Sequence, residues 1–369
     1  MRLHRNWKYL SVVVFLGTFS TLSAQEPPDV AITPIISGLD TPWGLALLPD
    51  GGALITERDG ELLYWAEGQT HKVAGVPRVL ADGQGGLLDV TLARDFAQTR
   101  DVFLTYSKPM DGGSGTALAT GRLSADGRRL ENLRDLFQMK RGASSGQHFG
   151  SRVVEADDGT LFVTIGDRGN RKAAQNPGRH NGSIIRINRD GSVPSDNPFV
   201  DQPKVQPETW SFGHRNPQGA NLDANGQLWT AEHGARGGDE VNRIKKGANF
   251  GWPVISYGRH YSGLKIGEGT EKAGMEQPAH YWDPSIAPSG LIVYQGDMFP
   301  DWRGDIFVGS LKFDYISRLD VTSDKAQEVQ KIESDETQRV RDLVEATDGS
   351  IWFISEGNGI VYRMAKAGS

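Results

Sequence analysis

The chain has 369 residues, including 46 glycines and 18 prolines, and this length allows one large domain or two ordinary ones. Its formal net charge of −6 provides no basic footprint for nucleic acid, so no nucleic-acid partner is expected. The absence of cysteine excludes disulfide bonds and thiolate metal sites.

The N-terminus has the layout of an export signal. A basic head over residues 2–8 precedes an apolar run over residues 9–16, and a stretch of small residues ends at Ala24. This pattern predicts a signal peptide over residues 1–24 and a periplasmic or secreted chain that begins near Gln25. The apolar run is short for a membrane span, so no stable membrane insertion is expected after cleavage. An uncleaved N-terminal anchor is the alternative.

Four stretches of the chain share apolar alternation, an Asp-Gly or Asn-Gly turn and a second apolar strand. They are Leu45–Thr56, Val153–Thr164, Ala220–Ala231 and Leu343–Ile354, with weaker copies at Leu88–Tyr106 and Leu291–Val308. The turn dipeptides favour two-residue hairpins because they permit positive φ angles. Six copies of one sheet unit predict an all-β fold, a six-bladed β-propeller, over residues 25–369 as a single domain. A pair of β-sandwiches is the alternative.

The parts between and after the repeats suggest how the fold closes and where a site forms. The last strand, Ile360–Met364, is expected to pair near the N-terminal segment and close the ring. Long insertions at Ser107–Thr116, Asn170–His180 and Tyr257–Gln277 are expected to gather on one face and build a site there.

Three loops carry candidate chemistry. His148 lies in a small-residue loop, and an imidazole there can take a proton from an alcohol, although most loop histidines do not. Arg215 and Asn216 lie in the segment Gly213–Gly219, which taken alone also fits a structural turn with a solvated arginine. The loop Glu232–Glu240 offers backbone carbonyls beside carboxylates, an oxygen-rich setting that suits calcium.

A cationic group follows near the C-terminus. Arg339 and Arg341 alternate around Val340, so both side chains should leave one face of a strand, and Lys312 precedes them. Two cations on one face repel each other. An exposed edge would tolerate this repulsion, whereas a polycarboxylate ligand would convert it into charge-assisted hydrogen bonds.

Together these segments resemble the soluble pyrroloquinoline-quinone-dependent sugar dehydrogenases of the glucose/sorbosone dehydrogenase family, and most of all their aldose sugar dehydrogenase branch. The similar blocks, in chain order, are Gly38–Trp43, Gly83–Leu88, the loop around His148, Gly213–Gly219, Gly251–Pro253, Lys312 and Arg339–Arg341. The resemblance covers nearly the whole chain after the signal. It implies a six-bladed propeller that oxidises aldoses at the anomeric carbon to lactones by hydride transfer to calcium-bound pyrroloquinoline quinone.

The resemblance also implies residue roles. His148 would be the catalytic base, and Arg215 would stabilise charge on the reduced oxygen. The cofactor would be held by Gln84, Arg215, Asn216, Asp239, Lys312, Arg339 and Arg341. Backbone carbonyls of Gly234 and Ala235 would bind the activating calcium, and Glu240 with the backbone of Phe250 would bind a second, structural calcium. An aldose sugar and an unidentified electron acceptor would be the partners.

Some positions depart from the glucose dehydrogenase branch. Gln147 stands where that branch has an acidic residue, and His233 stands where it has glutamine. Substrate preference therefore cannot be copied from glucose dehydrogenases. Trp282 is expected to stack on a sugar ring, with a propeller-edge aromatic as the alternative.

Two other functions fit a propeller. A lactonase-type hydrolase would place calcium in the central channel and would not need the three cations Lys312, Arg339 and Arg341. A non-catalytic extracellular binding propeller could dispense with His148 and Arg215. Fold alone does not separate these three functions.

Overall fold

The computed structural model describes residues 29–368, which form 24 β-strands and one helix of four residues. The predicted signal peptide lies outside the described residues. In chain order the first twelve strands are β1 (Val30–Ser37), β2 (Pro42–Leu47), β3 (Ala53–Glu57), β4 (Glu61–Ala66), β5 (Gln69–Lys72), β6 (Leu87–Leu92), β7 (Asp101–Met110), β8 (Gly113–Leu123), β9 (Leu130–Gln138), β10 (Val153–Glu155), β11 (Leu161–Ile165) and β12 (Ser183–Ile187). The rest are β13 (Thr209–Phe212), β14 (Pro217–Leu222), β15 (Leu228–Glu232), β16 (Asp239–Arg243), β17 (His280–Trp282), β18 (Pro288–Val293), β19 (Ile306–Ser310), β20 (Tyr315–Thr322), β21 (Lys325–Glu333), β22 (Val340–Glu345), β23 (Ile351–Ser355) and β24 (Ile360–Lys366). The α-helix is α1 (Phe96–Thr99), and short 3₁₀ segments cover Arg171–Gln175 and Pro300–Trp302.

The strands form six antiparallel sheets of four strands each, which confirms the six-bladed propeller. Five sheets are built from consecutive strands, starting at β2, β6, β10, β14 and β18. The first strands of successive sheets pack against one another around the axis. The sixth sheet has the order β1-β24-β23-β22, so the N-terminal strand pairs with the C-terminal one, from Val30 with Lys366 to Ser37 with Ile360. This pairing closes the ring as the sequence predicted, and it leaves no free edge between the first and last blades.

The hydrophobic core is divided among the gaps between neighbouring blades. Each gap holds one cluster of buried residues, because each sheet presents an apolar face to both neighbours. The largest side chains lie between the last two blades, where Trp302 and Phe307 pack with Phe353. The second strands of four blades, β3, β11, β15 and β19, are buried along their whole length. Among the described residues, no helix is long and apolar enough to cross a membrane.

The repeated turns differ from the expected two-residue hairpins. At Asp50-Gly51 the amide of Leu48 donates to the carbonyl of Gly52 (2.8 Å), and the amide of Gly51 donates to Leu48 (3.0 Å). This pattern is a three-residue loop in which the glycine alone has a positive φ, +88° for Gly51. The other three copies repeat both hydrogen bonds, so the expectation of two-residue loops was wrong while the hairpins themselves are present.

One predicted insertion is also different. Ser107–Thr116 is no irregular loop but the tip of the long β7–β8 hairpin, in which Met110 pairs with Gly113 across a two-residue turn. The insertion Tyr257–Gln277 reaches over the beginnings of the first strands, where its residues Arg259 and Tyr261 line a large cavity. The insertion Asn170–His180 meets it there, because Arg171 contacts His260 at 2.8 Å.

Candidate active site

A cavity of about 1180 Å³ opens at the end of the axis where the first strands of the blades begin. Residues from four strand beginnings contribute to its wall: Trp43 on β2, Gln218 on β14, Ala287 just before β18, and Arg341 on β22. Of the residues predicted to bind cofactor or metal, six line this cavity: Gln84, Gly234, Ala235, Lys312, Arg339 and Arg341.

The wall of the cavity is strongly cationic. Its charged lining residues are Arg58, Arg236, Arg259, Lys312, Arg339 and Arg341, against the single carboxylate of Asp283 among the described lining residues. Such an excess of cations with low-dielectric surroundings attracts an anionic ligand. A polycarboxylate would find bidentate partners here.

The pair Arg339 and Arg341 has a partner that sequence reasoning missed. Glu356 accepts two hydrogen bonds from Arg341, at 2.9 and 2.8 Å, and lies 3.5 Å from Arg339. Arg339 has a φ of +48° and precedes β22, so the two arginines do not share a regular strand face, yet both reach this carboxylate. Burial lowers the pKa of Arg341 from its ordinary value, and Glu356 opposes the shift. One carboxylate between two guanidiniums leaves room for a further anion.

His148 lies between the cavity wall and a buried carboxylate. Its backbone amide donates to the side-chain oxygen of Gln84 (2.7 Å), and Gln84 lines the cavity. Its Nδ1 lies 2.7 Å from Oδ1 of Asp167. Because a carboxylate only accepts, Nδ1 carries the proton and Nε2 is the basic nitrogen. Burial lowers the pKa of His148 below its ordinary 6.5, Asp167 raises it, and Arg215 lowers it further.

Asp167 holds this imidazole in place and was missed by sequence reasoning. Its Oδ1 accepts from the amide of Gly169 (2.7 Å), and its Oδ2 accepts from the indole of Trp252 (2.8 Å). Although burial raises the pKa of Asp167, the hydrogen bond and charge of His148 and the bond from Trp252 hold it below the ordinary value. Asp167 follows β11, whereas His148 precedes β10, so one hairpin brings them together. The sequence signal that could have identified Asp167 is an acidic residue placed directly after a strongly apolar strand.

Arg215 and Asn216 have different surroundings. Arg215 is buried, its Nη1 donates to the carbonyl of His233 (3.2 Å), and its guanidinium lies 5.3 Å from the ring centre of Trp252. Its Nε has no partner among the described residues. Asn216 is 1% exposed, and its Oδ1 accepts from the amide of Gly150 (3.0 Å). Arg215 thus lines a small cavity of about 20 Å³ and has a buried donor without a protein partner, whereas this side-chain oxygen of Asn216 is used within the protein.

Asp239 supports the loop that carries Gly234 and Ala235. Its Oδ1 accepts from the amide of Gly234 (2.7 Å), and its Oδ2 accepts from Ser285 (2.7 Å) and from the amide of Ala287 (2.8 Å). The residue is fully buried and is not part of the cavity lining. Both carboxylate oxygens of Asp239 therefore hold this loop and its neighbour, and a direct contact with a cofactor stays a prediction.

Glu240 and Phe250 lie at a second, much smaller cavity of about 20 Å³ beneath the same loop, together with Glu232. Burial raises the pKa of Glu240, and the nearby charge of Glu232 raises it further. The side-chain amide of Asn242 donates to the carboxylates of Glu232 (2.9 Å) and Glu240 (3.1 Å). Within residues 29–368, no cation forms an ion pair with Glu240. The described residues contain no cluster of three or more potential metal ligands. Two carboxylates with neighbouring carbonyls nevertheless match the oxygen ligands that calcium prefers.

Trp282 does not take the predicted place beside a sugar. It is 6% exposed, belongs to the cluster between the fourth and fifth blades, and donates from its indole to Glu328 (3.2 Å). The neighbouring Tyr281 is the exposed aromatic, and it stacks on Tyr257 with ring centres 4.0 Å apart. The expectation of sugar stacking was wrong, because the pairing of β17 with β16 turns Trp282 inward.

The residues present fit an anionic cofactor and a hard cation. The cavity presents six cationic side chains to a ligand, and buried polar atoms of Arg215 (Nε) and His233 (Nε2) lack partners within the described part of the chain. Burial and Arg215 lower the pKa of His233 to about 3, so this side chain is neutral. The carbonyl-bearing loop Gly234–Ala235 forms part of the same wall.

Comparison with known proteins relates nearly the whole chain to sugar dehydrogenases. The Glucose / Sorbosone dehydrogenase family profile matches residues 39–363. The chain is 42% identical to the aldose sugar dehydrogenase YliI of Escherichia coli over 361 residues, which cover 96% of each protein. It is 28% identical to quinoprotein glucose dehydrogenase B of Acinetobacter calcoaceticus, over 83% of this chain and 72% of that protein.

A solved structure agrees with these sequence relationships. The apo form of the soluble E. coli aldose sugar dehydrogenase superposes with a TM-score of 0.89 at 42% identity, over 92% of this chain and 100% of that one. This chain, with its propeller and its cation-lined cavity, therefore belongs to the glucose/sorbosone dehydrogenase family, among the aldose sugar dehydrogenases.

Proposed function

We propose that this protein oxidises aldose sugars at the anomeric carbon to lactones, with calcium-bound pyrroloquinoline quinone supplying the hydride acceptor. The names of two relatives support the substrate class and the cofactor class, since one is an aldose sugar dehydrogenase and the other a quinoprotein. The observation that carries the proposal is the pair His148–Asp167 beside a cavity lined by six cations.

His148 would act as the base for the anomeric hydroxyl. Asp167 fixes Nδ1 as the protonated nitrogen, so Nε2 can accept the hydroxyl proton. Because burial and Arg215 lower the pKa of His148, the neutral form is available at neutral pH. The charge of Arg215 is held beside this base by the carbonyl of His233 and would stabilise negative charge that develops on the accepting oxygen.

The cavity residues would bind and orient. Lys312, Arg339 and Arg341 would pair with carboxylates of the cofactor, and Gln84 would position it while holding the loop of His148. Asn216 and Asp239 would also bind the cofactor, and they fix the loops beside it through the hydrogen bonds described above.

The metal sites belong to the same proposal. The carbonyls of Gly234 and Ala235 would hold the activating calcium at the cavity wall. Glu240 and the backbone of Phe250 would hold a second, structural calcium at the smaller cavity.

The setting of the enzyme is also part of the proposal. Residues 1–24 would direct export, and residues 25–369 would act as one catalytic domain in the periplasm or outside the cell. The lactone product and an external electron acceptor would then exchange freely with the surrounding medium.

Reconstitution tests the proposed function directly. Purified apoprotein is mixed with pyrroloquinoline quinone and calcium, and the reduction of an artificial dye is followed with a panel of aldoses. We expect dye reduction that requires the aldose, the quinone and calcium together. Hydrolysis of lactones without dye reduction would support a lactonase instead, and sugar binding without either reaction would support a binding propeller.

A further inference from the structure

Two arginines that line the large cavity, Arg236 and Arg259, stand directly opposite each other, and neither forms an ion pair among the described residues. The amide of Arg236 donates to the carbonyl of Arg259 (3.0 Å), and the amide of Arg259 donates back (3.1 Å). Residues paired in this way project their side chains to the same face, with Cβ atoms about 5 Å apart, and like charges there are destabilising. Both side chains are exposed and line the cavity.

The backbone holds this pair rigidly. Residues 259–265 form a small hairpin in which Arg259 also pairs with Lys265, so three cationic residues stand in one cross-strand row. The base of the hairpin packs tightly on the preceding loop, since a Cβ on Gly258 would lie 2.2 Å from the carbonyl of Gly237. The two arginines therefore cannot separate without breaking the hydrogen bonds that join their strands.

Asp283, the single carboxylate of the described cavity lining, forms no ion pair with either arginine. Across residues 29–368, neither Arg236 nor Arg259 forms an ion pair, whereas Lys265 donates to the carbonyl of Glu268 (2.6 Å). Arg339 and Arg341 differ from this pair, because they share the carboxylate of Glu356. Two guanidiniums that start from neighbouring backbone positions in the wall of a cavity, without an ion pair, can bind one carboxylate or phosphate group between them.

An aromatic side chain stands beside the pair. Tyr261, at the tip of the hairpin, is 75% exposed and lines the same cavity. The other aromatic ring in the wall, Trp43, is buried and lies 4.7 Å from the guanidinium of Arg152. Tyr261 thus offers the accessible flat face of the described lining, and such faces suit the apolar side of a sugar ring.

We propose that Arg236 and Arg259 form an anion subsite that selects aldoses carrying a negative group at the end of the ring away from the anomeric carbon, such as a uronate or a sugar phosphate. This inference rests on the proposed function, since it assumes that the anomeric carbon faces His148. Lys312, Arg339 and Arg341 remain for the cofactor, and Arg236 and Arg259 contact the far end of the sugar.

Non-reactive ligands test the subsite apart from catalysis. Methyl glucuronide and methyl glucoside have a blocked anomeric carbon, so their binding to the reconstituted protein can be measured by calorimetry without turnover. We expect methyl glucuronide to bind about tenfold more tightly, and the preference to shrink at high salt because exposed charges are screened. Equal affinities for the two glycosides would overturn the proposal.

Variants assign the effect to Arg236 and Arg259. Arg236→Gln with Arg259→Gln should abolish the preference for methyl glucuronide and reduce the ratio of kcat/KM for glucuronate over glucose by about tenfold. Arg243→Gln is the matched control, because Arg243 lies at the opposite end of β16, pairs with Asp324 and should leave the ratio unchanged. Glucose 6-phosphate in place of glucuronate tells whether the subsite takes phosphate as well as carboxylate.

Three outcomes remain distinct. A double variant that loses affinity for pyrroloquinoline quinone, measured by fluorescence, would assign both arginines to the cofactor and overturn the subsite. Oxidation of glucose without any preference for charged sugars would overturn the subsite and leave the proposed function intact. Arginine-dependent binding of methyl glucuronide in a protein that oxidises no aldose would support the subsite and refute the dehydrogenase.

Discussion

At one end of the propeller axis the cavity of about 1180 Å³ presents six cations and one carboxylate among the described residues. At the other end a cavity of about 470 Å³ is lined by charges that form ion pairs within the chain, with the exception of Glu345. At the floor of this second cavity, Nη1 of Arg152 lies 2.7 Å from Asp89 and 2.9 Å from Asp342. At its rim, Arg94 pairs with Asp157 at 2.6 Å. The first strands of the blades thus have mostly unpaired cations at one end of the axis and mostly ion-paired charges at the other.

The difference separates charges that stabilise the fold from charges that bind a ligand. A buried charge without a partner costs several kcal/mol, so the paired end can remain buried without any ligand. Buried Asp89 and Asp342 each have a raised pKa because of desolvation, and the charge of Arg152 opposes the shift. At the cavity end, unpaired cations are tolerated because an anion can occupy the space between them. Substitutions at the two ends should therefore affect different measurements.

The largest effect is expected for His148→Gln at the cavity end. Glutamine keeps a polar side chain but cannot take the proton, so turnover of the reconstituted enzyme should fall by roughly 10²–10⁴-fold. Affinity for pyrroloquinoline quinone should change little, since Lys312, Arg339 and Arg341 bind it in the proposal. Steady-state kinetics and a cofactor titration check both statements, and near-normal turnover would refute the role of His148.

The pH profile sharpens the same prediction. A base must be unprotonated, so the rate should rise with pH as His148 loses its proton and then level off. Because burial and Arg215 lower the pKa of His148, this rise should lie below pH 6.5, the ordinary imidazole value. Asp167→Asn removes the groups that raise the pKa, so the rise should move to still lower pH. A rise at unchanged pH in that variant would contradict the geometry of the pair.

At the paired end, Arg152→Met should reduce stability rather than activity. Removing the cation leaves Asp89 and Asp342 buried without their partner, which typically costs about 3–5 kcal/mol in the free energy of unfolding. Denaturant unfolding measures this loss. The control is Arg94→Gln at the same rim, whose exposed pair with Asp157 should contribute at most about 1 kcal/mol. Equal losses in the two variants would remove the distinction drawn here.

The sequence predicted the fold because its signals are local. Each hairpin carries its own alternation and turn, and six such units indicate a propeller before any long-range contact is known. The turn type was missed because Asp50 is not itself in a left-handed conformation: its carboxylate accepts from the amide of Gly52 (3.1 Å), and only Gly51 takes the positive φ. A dipeptide therefore marks the position of a turn better than its length.

The site was less predictable where it depends on contacts between distant residues. Gln84, Lys312 and the two arginines came from sequence blocks, and the structure brings them into one cavity. Asp167 lies 19 residues after His148, and Glu356 lies 15 residues after Arg341, so their partnerships exist only once the hairpins have formed. The prediction that Trp282 stacks on a sugar was wrong because it depended on strand register. A shift of one residue in a strand exchanges its inward and outward faces.

At the cavity end, the loss of cations should reduce cofactor affinity more than stability. Arg339→Ala with Arg341→Ala removes charge-assisted bonds to the cofactor, so affinity for pyrroloquinoline quinone should weaken by about 2–3 kcal/mol. Stability should fall less than in Arg152→Met, because Arg339 is half exposed and a single carboxylate, Glu356, loses its partners. Cofactor titration and denaturant unfolding of the same samples make the comparison. Unchanged cofactor affinity would mean that these arginines serve only to hold Glu356.

The smallest expected change is in the melting temperature, and it concerns calcium, for which the cavity end of the molecule has two proposed sites. Chelation should abolish activity reversibly, because the calcium proposed at Gly234 and Ala235 would activate the cofactor. Calcium should also raise the melting temperature of the apoprotein by a few degrees, since an ion bound only to the folded state at 100 times its Kd adds about 2.7 kcal/mol.

Glu240→Gln separates the two sites: it removes a carboxylate from the smaller cavity, so the gain in melting temperature should shrink while activity still requires calcium. Because burial and Glu232 raise the pKa of Glu240, a cation there would relieve repulsion that no basic side chain among the described residues offsets. A variant that keeps the full thermal response would place the stabilising ion elsewhere, and activity that survives exhaustive chelation would exclude calcium from the cofactor site as well.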